Sequence, residues 1–168
     1  LSGRTLILVL LFIILAGFTV APPTDNDLWW HLRSGQWMVD NGEVLRVDPF
    51  SLTFQGQPRV SYDWLGQIIL FLIWQVGGVN ALAVFTSVII VAMLALVYLT
   101  RPGPFYPAVL VTIIIALLTS PTWTTRPQLF SMLFGAIVMW LIYRHKYGAD
   151  VRWLWVLPPL FLLWANLH

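Results

Sequence analysis

Residues 64–99 read WLGQIILFLIWQVGGVNALAVFTSVIIVAMLALVYL, and this uncharged stretch decides how the chain is organised. Its second part, 79–99, is long enough to cross a bilayer, which takes about 20 apolar residues in a helix. Its first part, 64–76, stops at Gly77-Gly78, and apolar stretches of roughly 10 to 14 residues are more often interfacial or re-entrant than spanning. The sequence therefore predicts a short surface helix followed by a transmembrane helix.

The basic residues of the short connections support this interpretation, because Lys and Arg collect in short cytoplasmic loops. If 64–76 crossed the membrane, only Arg4 and Arg126 would lie inside. If it lies along the surface, only Arg126 lies outside, and the residues that face the cytoplasm are Arg4, Arg101, Arg144, Lys146 and Arg152. Charge placement therefore favours the surface helix.

The composition requires lipid around the protein. The chain is 59% hydrophobic and 10% charged, whereas soluble domains carry roughly 25% charged residues. The basic residues are scattered singly, so they form no stripe for nucleic acid. Cysteine is absent, which excludes disulfides, thiolate metal sites and cysteine nucleophiles.

The patterns predict an all-α fold, a polytopic transmembrane helical bundle in the plasma (inner) membrane with a cytoplasmic N-terminus. The predicted spans are about 5–21, 79–99, 106–119, 127–143 and 153–168. The extracytoplasmic loop 22–78 is predicted to carry interfacial helices at about 27–40 and 64–76. We interpret residues 1–168 as the N-terminal part of one transmembrane domain, and its oligomeric state is not predicted.

The outer loop differs in composition from the rest of the chain. It holds six of the seven acidic residues: Asp25, Asp27, Asp40, Glu43, Asp48 and Asp63. Its first helix is predicted to end at Asn41-Gly42, because glycine closes helices in the left-handed conformation. Beyond that helix, 50–54 and 59–62 flank a Gln-Gly-Gln-Pro turn and predict a small hairpin.

The start of this loop carries the first candidate site. Asp27 and His31 are four residues apart and share a helix face, and Arg33 follows. Asp25 and Asp27 are candidate catalytic residues, because a carboxylate can act as general base on a hydroxyl. The same two side chains could hold a divalent cation such as Mg²⁺ or Mn²⁺ through oxygen ligands. The alternative is simple capping of the helix N-terminus.

Further candidate substrate-binding residues are His31, Arg33, Asp63, Arg126, Asn166 and His168. Asp63 precedes the surface helix and could equally be its cap. Arg126 lies in an outer turn, where a guanidinium can clamp a phosphate in bidentate fashion or simply snorkel to water. Asn166 and His168 lie near the outer end of the last apolar run, and polar groups at that depth are functional candidates.

The order of these motifs resembles a group of polytopic prokaryotic membrane proteins similar to the GT-C superfamily. The motifs are Asp-x-Asp, an aromatic–His–x–Arg run, Asn-Gly, Asp-Pro-Phe-Ser, an acidic residue before Trp-Leu, and Arg-Pro-Gln-Leu. That superfamily includes the protein O-mannosyltransferases, the lipid A aminoarabinose transferase and the catalytic subunit of oligosaccharyltransferase. The chain departs from many of its members in having Tyr-Asp-Trp-Leu at 62–65 instead of Pro-Pro-Leu.

The resemblance implies a glycosyltransferase that uses a polyprenyl-phosphate-linked sugar as donor. It implies that Asp25 or Asp27 is the base that activates the acceptor, and Asp27 is preferred because it shares a face with His31. It also implies that Arg126 and His168 stabilise the departing phosphate. Two alternatives stay open at this point, a non-catalytic membrane protein or assembly subunit, and a transporter.

Overall fold

The computed structural model describes residues 2–100 and 103–168, and over these residues it is all-helical, with no strand. The α-helices are α1 (Gly3–Thr19), α2 (Asp27–Asn41), α3 (Trp64–Leu99), α4 (Phe105–Thr119), α5 (Gln128–Lys146) and α6 (Leu157–Leu167). Short 3-10 helices at Ser120–Thr122 and Val151–Val156 lie before α5 and α6. The predicted all-α class is therefore confirmed, whereas Arg101, one of the basic residues counted above, lies outside the described residues.

Helix α3 is bent where the sequence places two glycines. Gly77 has φ −154° and ψ 23°, and Gly78 has φ 59° and ψ −145°. The positive φ at Gly78 is accessible to glycine because it lacks a Cβ. We call 64–76 the first arm of α3 and 79–99 its second arm.

Helix α1 runs antiparallel to the second arm. Near the end of α1, the hydroxyl oxygens of Thr19 and Ser87 lie 2.6 Å apart. Further back along α1, the rings of Phe12 and Tyr98 meet edge to face with their centroids 6.4 Å apart. The end of α1 therefore lies beside the early part of the second arm.

Helix α4 returns alongside α1 in the same direction. The guanidinium of Arg4 lies 5.8 Å from the ring centroid of Phe105 at the start of both helices. At their other end, the rings of Phe18 and Trp123 are 6.1 Å apart. The α4–α5 turn therefore lies at the same end of the molecule as the start of the acidic loop, and we call this the polar end.

The first arm is packed on two sides. A Cβ on Gly35 of α2 would lie 2.3 Å from the carbonyl oxygen of Gln67, so the two backbones touch. A Cβ on Gly66 would lie 2.6 Å from the carbonyl oxygen of Leu167, at the end of α6. The arm is thus held between α2 and the α6 terminus. The apolar cluster at the contact with α2 consists of Leu28 and Leu32 of α2, Leu70 and Phe71 of the first arm, and Leu82 of the second arm.

Two of the described helical segments are long and apolar enough to cross a membrane, Trp64–Leu99 and Phe105–Thr122. The segments Gly3–Thr19 and Val151–Leu167 are apolar but shorter. The remaining predicted spans and the orientation of the chain stay predictions.

The predicted hairpin with strands 50–54 and 59–62 is wrong. The described loop residues form only an isolated antiparallel bridge, between Val47 and Pro58. The reason is Asp48, whose carboxylate accepts hydrogen bonds from the backbone N–H groups two and three residues later, at 2.8 and 2.9 Å. Such side-chain bonds bend the chain into a turn and compete with strand pairing.

Candidate functional site

The polar end gathers side chains from three separate parts of the chain. They come from the start of α2, the start of α3 and the α4–α5 turn. We call the set Asp25, Asp27, His31, Asp63, Gln67 and Arg126 the polar cluster. Its formal charge is about −2 when the histidine is neutral, because three carboxylates face one guanidinium.

Asp25 and Arg126 form a bidentate ion pair. The guanidinium donates from Nε to one carboxylate oxygen of Asp25 and from Nη2 to the other, the latter at 2.6 Å. The Asp25 side chain is only 4% exposed. The hydrogen bond from Arg126 lowers the pKa of Asp25 and outweighs the opposing effect of burial. Asp25 is therefore a buried anion that fixes the α4–α5 turn to the start of α2.

Asp25 also organises the first turn of α2. Its Oδ1 accepts a hydrogen bond from the backbone N–H of Asp27 at 2.9 Å. Asn26, the residue at the cap position, makes no side-chain cap bond. Of the two aspartates, Asp25 therefore supplies the predicted capping at the start of α2. The helix ends as predicted, with Gly42 in the left-handed conformation.

Asp27 is the accessible carboxylate of the cluster. Its Oδ2 lies 2.9 Å from Nη2 of Arg126, but its side chain is 60% exposed. The two aspartates therefore have different environments, although both contact the guanidinium of Arg126. Asp25 is enclosed and fully paired, whereas Asp27 is oriented by the same group and remains open to a reactant.

Arg126 has less freedom than a phosphate clamp requires. Nε and Nη2 are committed to the aspartates, and the hydrogen bond to Asp25 raises the pKa of Arg126. Nη1 has no partner within residues 2–100 and 103–168. An incoming phosphate would bind through Nη1 or displace Asp25.

His31 lies against the start of α3, beside Asp63 and Gln67. Its Nδ1 is 3.4 Å from Oδ2 of Asp63 and 3.3 Å from Nε2 of Gln67. Burial is the largest influence on the imidazole and lowers the pKa of His31, although the nearby carboxylates raise it. Asp63 stands at the N-terminal cap position of α3, but its side chain makes no cap bond and pairs with these two residues instead.

Gln67 is the cluster residue that the sequence analysis missed. It is 1% exposed, and its Nε2 donates to Oδ1 of Asp63 at 2.9 Å. Its Oε1 is buried and has no partner in the described part of the chain. The spacing in the sequence could have indicated this contact, because Asp63 and Gln67 are four residues apart and share a helix face.

Asn166 and His168 reach the polar end but are not bonded to the cluster. Asn166 accepts a hydrogen bond from the indole N–H of Trp64 at 2.9 Å. Nδ1 of His168 lies 2.7 Å from the hydroxyl of Ser131. These contacts dock the end of α6 against α3 and α5.

Arg33 lies on another side of α2. It donates to Oε1 of Gln36 at 3.0 Å, and its guanidinium lies 5.6 Å from the centroid of the Phe50 ring. That ring meets Trp30 edge to face at 5.4 Å, and Arg59 covers the indole at 4.0 Å. The structure thus places Arg33 in an aromatic stack within the loop and not in the polar cluster.

The described residues contain no group of three or more His, Asp or Glu side chains arranged to hold a metal ion. Both carboxylate oxygens of Asp25 accept from Arg126. A divalent cation bound by Asp25 and Asp27 would therefore have to displace the guanidinium.

No family model, no curated protein and no solved structure matches this chain. Function is therefore inferred from the chemistry of the polar cluster and from the order of the sequence motifs.

Proposed function

We propose that the protein is a membrane glycosyltransferase of the GT-C type. It transfers a sugar from a polyprenyl-phosphate-linked donor to an acceptor hydroxyl on the extracytoplasmic side. The motif order supports the class, and the apolar helices of the fold support residence in a membrane. The polar cluster supports the chemistry, because it presents one exposed, oriented carboxylate at the end of a helical bundle.

The exposed carboxylate of Asp27 is the observation that carries the proposal. Transfer is an in-line displacement, in which a base takes the proton of the acceptor hydroxyl and the oxygen attacks the anomeric carbon. Asp27 meets the need for an accessible base, since its side chain is 60% exposed and one oxygen contacts Arg126. Asp25 serves as a positioning residue because its carboxylate is enclosed by that same arginine.

The donor has two chemical requirements that the chain can meet. Its departing phosphate needs a fixed positive charge, which the guanidinium of Arg126 supplies through Nη1, the nitrogen that does not contact the aspartates. Its isoprenoid chain needs an apolar groove. A cavity of about 380 Å³ runs between α3, α4 and α5, and its apolar lining includes Met93, Val97, Ile115, Met132, Ala136 and Met139.

Asn166 and His168 have a supporting place in this proposal. Asn166 holds the end of α6 next to the first arm through Trp64, which keeps this terminus beside the polar cluster. His168 then acts as a structural partner of Ser131, which lies 2.7 Å away.

The test of activity uses the full-length protein in proteoliposomes with a polyprenyl-phosphate sugar. Asp27→Asn is expected to lower transfer at least about 100-fold, the scale of general base catalysis, without changing membrane insertion. Asp40→Asn is the matched control, because Asp40 is exposed on the same helix. Full transfer by Asp27→Asn would remove the catalytic assignment.

The proposed location is a multi-pass arrangement in the plasma membrane with the polar end outside. The absence of native cysteine from 1–168 makes labelling direct. Single cysteines at positions 77 and 146 are expected to react from opposite sides of the membrane. Reaction of both positions from the same side would contradict the arrangement.

A non-catalytic membrane protein is the second candidate. The observation in its favour is that Asp25 and Arg126 satisfy each other without a ligand. In that case no lipid-linked sugar binds, and Asp27→Asn leaves every property of the protein except local charge unchanged. Direct binding of a polyprenyl-phosphate sugar to the purified protein distinguishes the two candidates.

A further inference from the structure

The end of the molecule opposite the polar end carries a group of exposed basic side chains. Helix α5 begins two residues after Arg126 and ends with Arg144, His145 and Lys146, all of which are exposed. Arg152 follows in the 3-10 helix before α6, and its side chain is 87% exposed. We call Arg144, Lys146 and Arg152 the basic patch.

Two of these charges have no acidic partner. Arg144 and Lys146 contact no carboxylate among residues 2–100 and 103–168. Their charged groups instead lie 5.6 Å from the ring centroids of Trp140 and Tyr147, respectively. The basic patch therefore presents positive charge that this part of the chain does not neutralise.

The third charge is only weakly compensated. Nε of Arg152 lies 3.6 Å from Oδ2 of Asp150, and both side chains are more than half exposed. Water and salt screen an ion pair of this kind, so it gives little stabilisation. A ligand anion can therefore share the guanidinium of Arg152.

The end of α5 does not need the basic side chains for its own closure. The backbone N–H groups of residues 147–149 donate to the carbonyl groups of residues 143–145, at 3.1, 3.2 and 2.8 Å. Gly148 makes this turn possible with a φ of 98°, which glycine adopts readily because it lacks a Cβ. The basic side chains are therefore free to bind a group outside the helix.

A cavity of about 260 Å³ lies in the same turn. Its lining consists of Tyr143, Arg144, Tyr147, Gly148 and Ala149. The rings of the two tyrosines are 4.6 Å apart, so two phenol side chains lie close to one guanidinium. A phenol hydroxyl can donate to a phosphate oxygen, and a guanidinium can bind phosphate in bidentate fashion. The cavity thus has the donors that a phosphate group requires.

Tryptophan side chains indicate the depth of the basic patch in the membrane. The indoles of Trp140 and Trp153 meet edge to face with their centroids 6.5 Å apart, and Trp155 is 76% exposed. Tryptophan favours the boundary between the hydrocarbon and the headgroups. Arg144 follows Trp140 by four residues, about 6 Å along the helix axis. The basic patch therefore lies at the level of the headgroups.

We propose that the basic patch and the adjoining cavity bind the phosphate headgroup of an anionic phospholipid; this rests on the proposed membrane location and not on transferase activity. Arg144 binds the phosphate oxygens, and Lys146 and Arg152 supply further positive charge. The acyl chains extend from the headgroup into the surrounding lipid. In the proposed arrangement this end faces the cytoplasm, where anionic lipids give the leaflet a negative surface potential.

The test measures lipid retention by native mass spectrometry of the full-length protein in detergent. The parent protein is expected to bind phosphatidylglycerol in preference to phosphatidylcholine, whose headgroup has no net charge. Arg144→Gln and Lys146→Gln are each expected to weaken phosphatidylglycerol binding about fivefold, the effect of one basic residue at a membrane surface. Arg46→Gln removes an exposed charge from the outer loop and is the matched control, with the affinity of the parent expected.

Three results of this experiment would overturn the proposal. The first is equal binding of the two lipids by the parent protein. The second is the affinity of the parent in Arg144→Gln or in Lys146→Gln. The third is an equal loss in Arg46→Gln, because binding would then depend on net charge alone and not on the basic patch.

A competitor distinguishes a lipid from a free phosphate ester. Glycerol phosphate has the same phosphate chemistry without acyl chains, and at equal concentration it is expected to leave the bound lipid in place. Displacement of the lipid would identify a soluble phosphate ester as the ligand and overturn the lipid assignment. The assay needs neither sugar transfer nor a membrane with two distinct sides, so its failure is separate from failure of the proposed function.

Discussion

Arg126 donates hydrogen bonds to both carboxylate oxygens of Asp25, although the two residues are 101 positions apart in the chain. This pair joins the loop after α1 to the turn between α4 and α5. It also gives two neighbouring aspartates different environments, because it encloses Asp25 and leaves Asp27 exposed.

The pair is expected to contribute to stability. Asp25→Asn should lower the free energy of unfolding by about 1.5–3 kcal/mol, since it weakens hydrogen bonds to a charged group in a mostly buried setting. Thermal unfolding of the protein in detergent measures the change. Asp40→Asn is the control, and equal midpoints for the two variants would contradict a structural role for the pair.

The same pair predicts loss of stability in acid. The pKa of Asp25 in the folded protein is below its ordinary value of 3.8, so the unfolded chain binds the proton more readily. The stabilisation is complete above pH 3.8 and is lost as the pH falls through the folded value. Unfolding measured from pH 5 to about pH 2 should therefore show a steeper decline for the parent protein than for Asp25→Asn.

His31 predicts a second dependence at higher pH. Burial lowers its pKa in the folded state from the ordinary value of 6.5. Its contribution is therefore complete above pH 6.5 and is lost as the pH falls toward the folded pKa, because the unfolded state gains the proton first. His31→Gln should remove this part of the stability profile, and His145→Gln should retain it. A profile that is the same in His31→Gln and the parent would argue against a buried neutral imidazole.

Gly35 predicts a steric effect at the contact of α2 with the first arm. A Cβ at this position would lie 2.3 Å from the carbonyl oxygen of Gln67, so Gly35→Ala must push the helices apart. Overpacking of this kind costs about 1–3 kcal/mol. Gly17→Ala in α1 has no heavy atom within 4 Å of the new methyl and should be neutral or slightly stabilising. Equal unfolding midpoints would show that the helices do not touch here.

Gly78 predicts a conformational effect at the bend of α3. Its φ of 59° with ψ of −145° is strained for any residue with a Cβ, at a cost of about 1–3 kcal/mol. Gly78→Ala should therefore destabilise the protein, although nothing lies within 4 Å of the added methyl. Gly135→Ala, in the interior of α5 and equally uncrowded, is the comparison in the same unfolding assay. Equal unfolding midpoints for Gly78→Ala and Gly135→Ala would contradict this prediction, because they would show that the bend tolerates alanine at position 78.

The sequence alone determined the helical nature of the chain and the break at Gly77-Gly78. It also indicated the aspartates and Arg126 as candidate site residues. These features follow from apolar run length, from glycine and from rare charges in an apolar chain, all of which are local. The bridge at 47 and 58 was not predicted, because the side chain of Asp48 forms a turn that strand propensity does not express.

Only the tertiary structure decided which of these side chains meet. Local spacing places Asp27 and His31 on one face of α2, but it does not reveal that Asp63 and Gln67 lie opposite that face. Nor does it show that Arg33 turns away to Phe50. Such pairings depend on how the helices cross, and the crossing is fixed by contacts such as that of Gly35 with Gln67, between residues distant in the chain.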